Sequence, residues 1–286
     1  MTASADVSLR IDSRDKLLFA GLLAVLSGVL VELAKAWWSS DHMSHGFLVP
    51  IVACFVAAGR SRQFATLPAR SERAGLLALA AALTIAHGGW YLASSLTIGG
   101  IGVVASLAAL VWFRRGRAWL LALAFPLAYL LFMVPPPEEW HRPLVVWLQG
   151  FAAHGSVDVL YALGVPVFLE GYVIEMPGGQ VQVAEACSGA TSLYTLTAIG
   201  VLLAFLSLKR RRTRALLIAL VLPAALIGNL ARVVTTVLLC MQIGVERATS
   251  GWIHTALGLL IYVVAVGLLL AFDALLRIHE QRLAAA

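Results

Sequence analysis

Apolar runs near the length needed to cross a bilayer follow one another along almost the whole chain, separated by short clusters of basic residues. About 20 apolar residues span a hydrocarbon core, and there the backbone must satisfy its own hydrogen bonds. The pattern therefore selects a bundle of membrane helices. Composition agrees: 60% of residues are hydrophobic, 13% are charged, and mean hydropathy is +0.89. Soluble domains run near 45–50% apolar and about 25% charged. The basic pI of about 9.6 does not indicate nucleic acid, because no basic domain remains once the clusters are assigned to loops. Three cysteines without CxxC spacing give neither a disulfide framework nor a zinc ribbon.

Eight spans are expected, at roughly 17–38, 46–59, 75–96, 98–113, 118–134, 188–207, 215–240 and 253–273, the second and fourth being short. Basic residues flank them in alternation, at 10–16, 60–73, 114–117, 209–214 and 277–282, and hold 17 of the 21 Lys and Arg. Cytoplasmic loops carry such an excess. The expected fold is an all-α integral membrane protein with both termini cytoplasmic. It forms one transmembrane domain over 1–286, with a cytoplasmic segment at 1–16, a long periplasmic loop at 135–187 and a cytoplasmic tail at 274–286. Ala34-Lys35-Ala36 resembles a signal-peptide cleavage site, but the apolar stretch is long for that. Glu32 and Lys35, one turn apart, fit a pair on an uncleaved helix.

The long outer loop opens with Pro135-Pro136-Pro137, which cannot continue a helix. Residues 143–163 suit an amphipathic helix at the membrane surface. Residues 165–185 alternate Val and Ile among Gly and Pro, with a turn signal at Pro177-Gly178-Gly179, and read as two or three short strands. Two roles stand open for this small β-hairpin-like segment. It pairs with an extended peptide by strand addition, or it is a lid packed on the helices.

Cys187 lies in Glu185-Ala186-Cys187-Ser188-Gly189, where polar sequence meets the sixth span at its outer end. A helix N-terminus favours thiolate over thiol. Ser188 is a candidate cap, and Gly189 leaves room for a substrate backbone. Cys54 and Cys240, with aliphatic neighbours, read as ordinary helix cysteines. Arg232 is placed within the seventh span, about 26 Å from its inner end. An arginine there costs roughly 2.5–3.5 kcal/mol and faces a cavity, a partner or a substrate; Asn229 shares its face. His254 opens the eighth span, again at the outer boundary. Together these groups supply a nucleophile, a proton carrier and a cationic clamp for acyl transfer. Asp41, His42 and His45 form a second outer polar cluster without an evident third ligand, so neither metal nor cofactor is expected. His141 and His154 occur singly, and His87, beside Gly88-Gly89, reads as a buried packing histidine.

Three motifs together, Glu185-Ala186-Cys187-Ser188-Gly189, Asn229-Leu230-Ala231-Arg232 and His254, closely resemble the exosortase/archaeosortase family. Ser44-His45-Gly46 and Leu148-Gln149 look like further patterns of that family, and the likeness runs from about residue 16 to 273. The resemblance implies a multispanning protein-sorting enzyme of the bacterial inner membrane, with Cys187, Arg232 and His254 as catalytic residues. Glu185, Ser188, Gly189, Asn229 and His45 would support them. The implied partners are membrane-anchored proteins ending in a sorting tail, with a Pro-Glu-Pro-type motif, an apolar span and a basic end, together with an amine acceptor if the reaction is transpeptidation. Some exosortases carry a further C-terminal domain associated with exopolysaccharide. This chain stops soon after the eighth run, which weakens the expectation of that link. Two other readings remain: a transporter or polysaccharide-export subunit in which Arg232 binds an anion, and a Cys187–Cys240 disulfide.

Overall fold

The computed structural model describes residues 12–64, 66–184 and 188–285, which divide into two compact units, Met1–Pro137 and Glu138–Ala286. The first holds α1 (Ser13–Val25), α2 (Ser27–Ser39), a 3-10 stretch at Asp41–Phe47, α3 (Leu48–Ala58), α4 (Ser61–Phe64) and α5 (Arg73–His87). It continues with α6 (Leu96–Arg115), α7 (Arg117–Ala122), α8 (Ala124–Tyr129) and a 3-10 turn at Leu130–Met133. Its basic clusters gather at one end. Asp15 takes hydrogen bonds from Arg114 Nε (2.7 Å) and an Arg115 terminal nitrogen (2.6 Å). The Arg70 N–H donates to the Arg115 carbonyl. Glu72 caps α7 from a distance, accepting from Arg117 N–H (2.9 Å) and the Trp112 indole (2.6 Å). Those two donors hold its carboxyl below the usual range.

The first expected span is not straight. α1 and α2 meet at a 67° bend, where Leu26 leaves helical geometry (φ −85, ψ 0) just before the Ser27-Gly28 pair. Gly/Ser pairs are a recurrent cause of sharp kinks. His87 serves this break. Its Nε2 lies 3.1 Å from the Val25 carbonyl and its Nδ1 2.9 Å from that of Leu83, so it is half-buried and hydrogen-bonded rather than a buried packing residue. The Lys35–Glu32 pair forms as expected, at 2.8 Å.

The second unit opens with α9 (Glu138–Ala162), whose buried face carries Val145, Leu148, Gln149, Ala152 and Ser156 at helical spacing. The expected amphipathic helix thus exists, starting before Pro143 rather than at it. A three-stranded antiparallel sheet follows in order β1-β2-β3: β1 (Phe168–Glu170), β2 (Val173–Met176) and β3 (Gly179–Gln182). Met176 faces Gly179 across the two-residue Pro177-Gly178 turn, with Gly178 supplying φ +95. One face of the sheet buries Ile174, Val181 and Val183 against Leu160 and the Val233–Cys240 stretch. The chain then runs through α10 (Ala190–Ser207), α11 (Arg211–Ile243), α12 (Val245–Thr249) and α13 (Gly251–Ala285). The last helix, 35 residues or about 52 Å long, is longer than the roughly 30 Å hydrocarbon core.

Five described helices are long and apolar enough to cross a membrane, or six if the bent pair is one span. The fourth expected span is a full 20-residue helix, Leu96–Arg115. The second and fifth expected spans are only shorter apolar helices, His42–Ala58 and Ala124–Met133.

Candidate active site

Asn229 and Arg232 stand one turn apart on α11, on the side facing α10 and α13. Two hollows meet there. A small one of about 20 Å³ is lined by Ser192, Asn229, Arg232, Gly258 and Tyr262, among others, and has room for a single water at roughly 10–15 Å³ each. A larger one of about 230 Å³ lies between Val181–Ala184 on one side and Arg232, Val233, Thr236 and Thr249 on the other. Arg232 belongs to both walls. The sequence left it facing a cavity, a partner or a substrate, and it lines both hollows.

The backbone on either side of 185–187 is held at this point. Before it, Gln149 Nε2 donates to the Val183 carbonyl at 2.5 Å, and Ala184 lines the larger hollow. After it, Asn229 Nδ2 donates to the Ser188 carbonyl at 2.9 Å. Ser188 is buried but is not the helix cap: Gly189 occupies that position at φ +90. The Ser188 hydroxyl instead accepts the Ala190 N–H from one residue further back, at 3.3 Å. A Cβ on Gly189 would fall 2.8 Å from Asn229 Cγ, so only glycine fits both the left-handed backbone and the close approach. Cys187 and Glu185 lie outside the described residues.

Position 254 stands on the fourth residue of α13. One turn later, Gly258 passes the guanidinium so closely that a Cβ there would be 4.0 Å from Arg232 Cζ. Residues 258, 262 and 265 line the small hollow, and 254 precedes 258 by four on the same helical face. His45 belongs to the first unit, buried there, with Nε2 3.1 Å from the Phe132 carbonyl. Cys54 is exposed and Cys240 buried, both free thiols. His141, set aside from sequence, meets the Tyr194 hydroxyl through Nδ1 at 2.9 Å, joining α9 to the first turns of α10. Nothing local in the sequence marks that pair, 53 residues apart.

A transmembrane exosortase family model matches residues 37–271. The chain belongs to the transmembrane exosortase family. No curated protein and no solved structure matches it. Exosortases are in general cysteine-dependent sorting enzymes of the membrane, and the cluster around Arg232 lies within the matched region.

Proposed function

We propose that the chain is a membrane cysteine peptidase or transpeptidase that removes the C-terminal sorting tail of exported proteins at the outer face of the inner membrane. One observation supports this reading above the rest. The segment carrying Cys187 is bracketed by Ala184, in the wall that includes Arg232, and by Ser188, hydrogen-bonded to Asn229. The Cys187 thiolate attacks the scissile carbonyl, and Arg232 stabilises the oxyanion or holds a substrate carboxylate. The C–N bond breaks as His254 protonates the leaving amine, giving an acyl-thioester. An amine or water, losing its proton to His254, then attacks the thioester and releases the thiolate. Charge counting supports the orientation, with both termini in the cytoplasm. A substrate tail with one span and a basic inner end would set its Pro-Glu-Pro-type motif at the same outer boundary.

Co-expression with a tailed protein tests the reading. The wild type is expected to shorten it, and Cys187→Ala to leave it uncut while inserting normally. Unimpaired processing by that variant overturns covalent catalysis at this residue. The 67° break in the first span favours solute transport, since transporters use discontinuous helices. Transport predicts that the alanine variant keeps full activity.

A further inference from the structure

The outer edge of β3 carries no partner strand among the described residues. Its register shows which backbone groups face outward. A two-residue turn makes Met176 and Gly179 a hydrogen-bonded pair, so Gly179 and Val181 turn their N–H and C=O toward β2. Val183 continues the alternation, its N–H donating to the Tyr172 carbonyl at 2.8 Å. Gln180, Gln182 and Ala184 therefore present theirs to the open side, and all three are exposed.

This edge borders a cavity. Val181, Gln182, Val183 and Ala184 all line the 230 Å³ hollow. Successive strand residues point to opposite faces, so a space touching four in a row runs alongside the backbone rather than over one face. At the far end Val245 closes the strand, its Cγ2 lying 2.7 Å from where a Cβ on Gly179 would sit. The open run thus leads one way, toward Arg232.

We infer that β3 is the docking edge for the substrate's cleavage segment, which binds as an added strand. The outward groups of Gln182 and Ala184 hold the peptide backbone, and the hollow takes the side chains beside its scissile bond. An extended peptide fits because donors and acceptors repeat at strand spacing, while a lid closed on the helices would leave them unpaired. This inference rests on the sorting-tail reading for the identity of the peptide.

The test uses the full chain in detergent carrying Cys187→Ala, with synthetic peptides spanning the cleavage motif and N-methylated at one residue at a time. Strand addition predicts a period of two: methylation at alternate residues weakens binding about five- to tenfold, and the intervening positions respond little. Gln182→Pro, which removes an outward N–H and no β2 hydrogen bond, weakens the unmodified peptide similarly while melting stays near that of the parent. Absence of binding, uniform sensitivity along the peptide, or an unaffected proline variant overturns the docking edge. The chemistry fails separately. A period-two pattern with no processing by the wild type removes the cysteine mechanism and leaves the edge standing, and processing without the pattern does the reverse.

Discussion

Gly189 concentrates the demands of the site in one residue. It starts α10 at φ +90 and lies against Asn229, whose amide holds the preceding carbonyl. Alanine there adds a left-handed penalty of about 1–2 kcal/mol to a Cβ at 2.8 Å from Asn229 Cγ. Gly189→Ala is expected to lower the melting temperature modestly and to abolish tail processing, because the clash falls on Asn229, which holds the Ser188 carbonyl. Thermal melting in detergent, paired with a processing assay, checks both parts. A variant that melts lower but processes at the wild-type rate would show the Asn229 contact to be structural only. Residue types alone mark the motif around Cys187 as a candidate site. They do not give the reason it needs Gly189, since Asn229 lies 40 residues further on.

Among the elements, α13 depends on its far end for its register. Asp273 accepts a hydrogen bond from Ser207 and pairs with Arg277 at 3.1 Å. Seven residues later Glu280 caps α11 from outside, accepting from Lys209 N–H (3.0 Å), Arg210 N–H (2.8 Å) and the Thr213 hydroxyl. Between these contacts and Gly258, the face through Leu269 and Ala265 packs on Leu196 and Val221. The Thr213 hydroxyl and the two backbone N–H groups pull the Glu280 carboxyl from 4.5 to about 2. Because the folded value is depressed, this stabilisation is complete above the unfolded value and disappears as pH falls toward about 2. Glu280→Gln is expected to lose about 0.5–2 kcal/mol near neutrality. The gap from wild type should narrow as pH drops from roughly 6 to 3. Melting curves across that range check the sign, and a gap that widens in acid refutes the assignment.

For the whole molecule, the charge pattern carries the topology. Within the first unit Asp15, Arg70 and Arg114–Arg115 converge at one end, and within the second Lys209–Arg210 and Glu280 do so. If these ends face the cytoplasm, a cysteine introduced at Gly178 in the β2–β3 turn labels with an impermeant thiol reagent from outside. One introduced at Arg212 labels only after permeabilisation. The reverse pattern would turn the protein over and remove the sorting-tail reading with it. Apolar length, loop charge, the Pro177-Gly178 turn and the helical spacing of α9 are local properties, written in neighbouring residues, and they alone determined a membrane protein with a small β-hairpin. Tertiary structure alone decided the His87 bridge to Val25, the Asn229 hold on Ser188 and the Glu280 cap. Each joins groups from 41 to 71 positions apart, and no periodicity in a chain encodes which distant donor a freed carbonyl or carboxylate will meet.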